Sequence, residues 1–95
     1  MPTVGILTLE LRLDDALSLK DKRHTVKGLK DRLRARFNVA VAEIDYQDTW
    51  QRSLISAVTV SADHLRAEQV LQSVEREASS FLGGSLVNTT LEWVE

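Results

Sequence analysis

Ninety-five residues are enough for one hydrophobic core and too few for two, so a single domain over residues 1–95 is expected. Cysteine is absent, which excludes disulfides and thiolate metal sites, and a net charge of −2 argues against general nucleic-acid binding. Glu10 and Arg12 interrupt the apolar residues near the N-terminus and there is no charged n-region, so neither a signal peptide nor a membrane span is expected; the default location is cytoplasmic.

Thr3 to Leu13 alternates. Leu7, Leu9 and Leu11 share one face, and Thr8, Glu10 and Arg12 share the other, the period of a half-buried strand. Val4 and Ile6 break the polar face at its start. After a turn at Asp14-Asp15-Ala16, the stretch from Ser18 to Phe37 has helical period. Ser18 is placed to cap it, with Asp21 three residues on as the second half of a capping box. Val26, Leu29, Leu33 and Phe37 fall within about 80° on a helical wheel and form the stripe to be buried. Gly28 lies on the far, solvent side, and Asn38 suits a left-handed cap at the end.

Val39 to Gln47 reads as a second strand with two possible facings. Either Val39 and Val41 point inward with Glu43 at the rim, or Ala40, Ala42 and Ile44 do; a bulge would allow parts of both. Asp48-Thr49 begins a connection. Leu54 to Ser61 is apolar enough for a central strand. Asp63 to Phe81 is a second amphipathic helix, with Ala67, Val70, Leu71, Val74, Ala78 and Phe81 at helical spacing. Ser61 or Asp63 would cap it and Gly83-Gly84 would end it. Leu86 to Val94 is rich in β-branched and aromatic residues and reads as a last strand.

The order β-α-β-β-α-β specifies an α+β fold, the ferredoxin-like βαββαβ sandwich. It has a four-stranded antiparallel sheet with two helices on one face. The first and third strands belong in the centre, and the other sheet face is left bare.

The runs Ser18-Leu-Lys-Asp-Lys-Arg23, Arg36-Phe-Asn-Val-Ala-Val-Ala-Glu-Ile-Asp45 and Gln47-Asp-Thr-Trp-Gln-Arg52 resemble the YlxP-like family of small bacterial proteins of unknown function. The resemblance covers nearly the whole chain and implies a ferredoxin-like fold. In many bacteria, genes of this family sit among those for transcription termination, translation initiation and ribosome maturation. It carries over no catalytic or binding residue.

Charge is strongly segregated. Residues 20–36 hold eight of the twelve Lys and Arg against Asp21 and Asp31, a net +6, and the remainder carries −8. With Val26 at 0°, Lys30, Arg23, Arg34, Lys27 and Lys20 fall at roughly 40°, 60°, 80°, 100° and 120°, a strip with no acid inside it. Like charges at helical neighbour spacing repel by a few tenths of a kcal/mol per pair, so a purely structural surface usually mixes the signs. Such a row suits phosphates. The bland reading is a solvated face whose Lys and Arg stems cover the core edge. Lys22, Arg32 and Arg36 lie on the other flank and read as structural.

Other constellations are weaker. Glu43, Asp45 and Asp48 lack the regular ligand spacing of calcium loops, so edge protection or salt bridging to the basic helix is expected and no metal. Trp50 reads as a lid over the core before it reads as a stacking platform for a base. His24 and His64 have no partners at useful spacing and are expected to be exposed. No nucleophile or phosphate-loop signature exists, so no catalytic residue and no cofactor is expected. The central strands carry no aromatics on which bases would stack in the manner of ferredoxin-like RNA-binding domains. Val4 and Ile6, with Val58 or Val60, would leave an apolar patch on the bare face, and Trp93 fits either this patch or the core.

The expected function is therefore a non-enzymatic contact with structured RNA or a ribosomal subunit through Lys20, Arg23, Lys27, Lys30 and Arg34. The alternative is a protein-interaction module, a homodimer through its sheet that docks on an acidic partner. A sensor or enzyme site using Glu43, Asp45 and Arg52 at a dimer interface has no acid–base spacing behind it.

Overall fold

The structure is a computed structural model and describes residues 1–94. Its elements are β1 (Thr3–Arg12), α1 (Leu19–Arg36), β2 (Ala40–Asp45), β3 (Arg52–Ser61), α2 (His64–Leu82), a 3₁₀ turn (Gly83–Ser85) and β4 (Leu86–Val94). The sheet order is β2-β3-β1-β4, antiparallel throughout, so β1 and β3 are central as expected. This is the ferredoxin-like sandwich. Among the described residues no helix is long and apolar enough to cross a membrane.

Alternation decides the faces. On β1, Leu7, Leu9 and Leu11 are buried under the helices with Ile55 and Ala57 of β3. Val26, Leu29 and Leu33 of α1 and Ala67, Leu71, Val74, Ala78 and Leu82 of α2 close the core from above. Leu82, not Phe81, completes the α2 stripe. Phe81 sits over Gly28 instead, with its ring 3.2 Å from where a Cβ at Gly28 would stand. Gly28 is thus a helix–helix contact and not a solvent-side position.

The caps follow side-chain chemistry. Ser18 Oγ accepts from the Asp21 amide at 3.1 Å, and the Asp21 carboxylate accepts from the Leu17 amide at 3.0 Å, one residue before the expected partner. Asp63 caps α2, while Ser61 Oγ accepts from the Asp63 amide. Gly83, at φ 57°, ends α2 in a conformation that glycine adopts without steric cost. Asn38 is not a left-handed cap. Phe37 ends α1 in extended conformation (φ −134°, ψ 154°) and feeds the chain straight into β2, and the Asn38 carbonyl accepts from Thr59 Oγ1 at 2.8 Å.

β2 takes the first facing. Val41 is buried, Val39 and Glu43 are half-buried, and Ala40, Ala42 and Ile44 are exposed. Glu43 pairs with Ile55 and Asp45 with Leu54, so Ile44 is the extra residue of a bulge. Trp93 belongs to the helix side of the sheet. It packs on the core above Gly5, its register partner, and against the His64 ring at a centroid distance of 4.2 Å. His64 is exposed as expected but does have this aromatic neighbour.

Candidate functional site

The cation strip is held in place by the core stripe beside it. Val26, Leu29 and Leu33 seat α1 on the sheet, and this aims residues a quarter-turn away past the β2 edge to solvent. Lys20, Arg23, Lys27 and Arg34 are exposed and Lys30 is half-buried. Asp31, just outside the strip on the wheel, reaches into it. Its carboxylate lies 2.6 Å from Lys27 Nζ and 4.0 Å from Arg34 Nη1. The expectation of a strip without acid is corrected at this end. Arg34 also donates from Nη2 to the Val41 carbonyl of β2 at 2.9 Å. The hydrogen bond from Lys27, followed by the field of Lys27, Arg34 and Lys30, holds the Asp31 carboxyl below its usual range. Among the described residues no carboxylate makes an ion pair with Lys20, Arg23 or Lys30.

The opposite flank of α1 faces α2. Arg32 and Arg36 each donate to Glu77 at 2.8 Å, and the Arg32 guanidinium lies 5.1 Å from the Phe81 ring centroid. These cations are structural, as expected. The hydrogen bond from Arg32, then that from Arg36, lowers the Glu77 carboxyl below its ordinary value. A lowered carboxyl stabilises the fold above its unfolded-state value, and the contribution is lost as pH falls through the folded one. Glu77→Gln is therefore expected to lower Tm at neutral pH. As pH falls through that lowered folded-state value, the melting curves of the two proteins should converge.

Lys22 is the cation that the sequence places least well. It is only 1% exposed. Its ammonium lies 2.9 Å from Glu43 Oε2 and donates to the carbonyls of Tyr46, Thr49 (2.7 Å) and, more weakly, Gln47 (3.4 Å). Ser53 Oγ donates to the same Glu43 oxygen at 2.5 Å. One buried charge thus fastens the β2–β3 loop to the first turn of α1. Tyr46 takes φ 63°, its amide held by Asp45 Oδ1 at 2.7 Å and its ring covered by Arg52 at 4.2 Å. Arg52 also meets Glu10 at 3.4 Å.

The acidic group is thereby dispersed. Glu43 bridges to the basic helix and Asp45 folds onto its own backbone. Among the described residues no set of three or more His, Asp or Glu side chains is placed to share a metal ion. Trp50 is no lid: it is 46% exposed and does not pack on the core. On the bare face Val4 stands opposite Val60 and Val94, and Ile6 opposite Val58. The face becomes polar at Thr8, whose Oγ1 lies 2.8 Å from Ser56 Oγ.

Residues 4–91 match the family model described as protein of unknown function, DUF503. The chain belongs to this family. A Bacillus subtilis (strain 168) member, "Uncharacterized protein YlxP", is 38% identical over 90 residues, 95% of this chain and 98% of that one. Two solved structures share the DUF503 chain's fold. The de novo designed protein Foldit4 aligns over 100% of this chain and 98% of its own, with TM-score 0.60 and 11% identity. A dimeric ferredoxin-like protein of unknown function from Thermobifida fusca aligns over 98% and 90%, with TM-score 0.53 and 17% identity. At such identities the likeness to both is one of fold alone. The DUF503 description names no activity, so the residues themselves must carry a functional reading.

Proposed function

We propose that this protein is a non-catalytic RNA-contacting module that docks α1 on the phosphates of structured RNA, alone or in a ribosomal subunit. The observation that carries the reading is that Lys20, Arg23 and Lys30 point from one side of a helix with no carboxylate paired to them among the described residues. Holding like charges side by side costs stability. A polyanion offsets that cost by releasing counterions. Lys27 and Arg34, which share Asp31, form the weaker end of the row. The acidic remainder of the chain confines the contact to α1, so the affinity is modest and indifferent to sequence.

The test is binding of a short stem-loop RNA, and of small ribosomal subunits, across a salt series. Changing Lys20, Arg23 and Lys30 to Gln is expected to lower affinity and to flatten the log–log salt slope by roughly 0.7–0.9 for each phosphate that is no longer neutralised. The substitution Lys27→Gln with Arg34→Gln should do less. An unchanged slope in the triple variant rejects the reading.

A second reading is self-association through the bare sheet face. Val4, Ile6, Val58, Val60 and Val94 form a contiguous apolar group there, and such groups serve as interaction surfaces. Sedimentation in the same buffers separates the two readings, because a sheet-face dimer survives high salt and the RNA contact does not.

A further inference from the structure

We propose that the outer edge of β4 is a homodimer interface: residues 88–94 pair antiparallel with the same stretch of a second copy, Leu91 against Leu91 at the two-fold axis. This surface is separate from the bare sheet face and from the cation strip of α1, and it needs neither of the readings above.

β4 is the last strand of the sheet, so one side of its backbone has no strand to pair with. Such an edge is a template for another chain, and native proteins blunt it with charge, proline, a bulge or a cover. The other edge, β2, is blunted in this way. It is six residues long, it bulges at Ile44, it carries Glu43 and Asp45, and Arg34 of α1 donates to its Val41 carbonyl. β4 is not. Its irregularity lies at Val87, and the seven residues after that pair with β1 without a break. It holds no lysine, arginine or proline, and Glu92 is its one charged residue.

The stretch is complementary to itself. In a symmetric antiparallel pair the two-fold axis is normal to the sheet, so both copies keep their helices on the same side. Centring the pair on Leu91, the midpoint of 88–94, uses all seven residues. Thr90 then faces Glu92, Thr89 faces Trp93 and Asn88 faces Val94, each on both sides of the axis. The carboxylate meets a hydroxyl and not its own copy, whereas centring on Glu92 would oppose two carboxylates. Leu91 stands on the helix side, opposite the buried Leu7, yet it is 42% exposed, because α2 lies chiefly over β1 and β3 and leaves the edge strand open. At the axis two such leucines cover each other. Two four-stranded sheets become one of eight strands, with the α1 helices on one side of it at its two ends. Pairing over seven residues is a small interface, so the dimer dissociates at roughly micromolar concentrations.

The experiment is sedimentation equilibrium over roughly 1 µM to 1 mM, with cysteine variants as a second measurement. Wild type is expected to show a monomer–dimer equilibrium that high salt does not abolish. Leu91→Lys places two ammonium groups at the axis and should weaken the dimer about tenfold or more. Thr90→Lys meets the partner's Glu92 and should tighten it by roughly two- to tenfold. Both positions are exposed, so melting curves of these variants in dilute solution should stay close to wild type. The chain has no cysteine of its own, so Leu91→Cys should give a disulfide-linked dimer under mild oxidation, and Asn88→Cys, which faces Val94, should not. If both lysines weaken the dimer, the strands do not meet in this register and the inference falls. Equal cross-linking of the two cysteine variants reports collision and overturns it too. A dimer that Leu91→Lys leaves intact and Val60→Asp breaks overturns the inference and assigns the contact to the bare face. A monomer at every concentration removes both interfaces and leaves the edge to a strand of another protein.

Discussion

Lys22→Met is expected to destabilise the protein by about 3–5 kcal/mol, the usual cost of removing one partner from a buried ion pair. The methionine stem fills the same volume, so the loss is one of charge and hydrogen bonds, not of packing. What remains is a half-buried Glu43 carboxylate next to Ser53 and the carbonyls of Tyr46, Gln47 and Thr49 without their shared donor. For a domain of this size each kcal/mol moves Tm by about 4–8 °C, so a fall of more than about 10 °C is expected. Glu43→Gln should cost less, because an amide oxygen still accepts from the ammonium. The double variant Lys22→Met with Glu43→Gln should cost less than the two single losses together, by about 1–3 kcal/mol, since the neutral amide no longer leaves an unpaired charge once the ammonium is gone. The loop should respond as well, with faster amide exchange at residues 46–49 and earlier proteolysis there. A Lys22→Met protein melting within a few degrees of wild type would show that the ammonium is merely tolerated.

The fold was legible because each element declares itself locally. Leu7, Leu9 and Leu11 alternate; Val26, Leu29 and Leu33 recur at helical spacing; Ser18, Asp63 and Gly83 bound the helices, and the structure keeps all of these assignments. The site was legible in part. Five cations on one helix side could be counted from the sequence, and Asp31 lay only a short step off the strip. That Asp31 swings into it depends on side-chain reach, which a wheel does not encode. The burial of Lys22 had a readable signal. At roughly 320° it stands between Leu29 near 300° and Leu33 near 340°, in the middle of the apolar stripe. Sorting the residue by its charge, and not by its angle, hides this. The partners that let a lysine occupy that position come from a loop more than twenty residues away, and no local pattern announces them. Gly28 and Trp93 were misplaced or left open for the same reason. Their environments are set by Phe81 and by Gly5 with His64, all distant in sequence.

Trp50 marks where the two levels diverge. Local reasoning favours burial for a tryptophan after a strand. Tertiary structure instead commits a buried ion pair and a left-handed tyrosine to a loop that leaves the ring in solvent. A positive φ at Tyr46 and an exposed tryptophan in one loop conflict with the local rules obeyed elsewhere in the chain.

Gly5→Ala is the second large expected loss, and its sign is set by what stands above the strand. An added Cβ would lie 2.6 Å from Leu71 Cδ1 and 2.7 Å from Trp93 Cζ3, well inside contact distance for both. Neither neighbour gives way easily. Leu71 is buried in the core, and the Trp93 ring is held between the core and His64. Overpacking of this kind costs about 1–3 kcal/mol. Alanine in place of a strand glycine would otherwise gain about 0.5–1 kcal/mol by restricting the unfolded chain. The clash outweighs that gain, and a net loss of about 1–2 kcal/mol, or roughly 5–15 °C in Tm, is expected. Tryptophan emission should shift as the Trp93 ring is pushed off His64, and Trp93→Leu in the Gly5→Ala background should recover part of the stability. Gly28→Ala provides the control. Its Cβ would stand 3.2 Å from the Phe81 ring, but Phe81 is 38% exposed, so its ring has solvent to shift into. There the helix propensity of alanine prevails, and stability should hold or rise by up to about 1 kcal/mol, with Tm following. If Gly5→Ala melts at or above the wild-type temperature, Trp93 does not lie over β1, and the β4 edge packs in some other way.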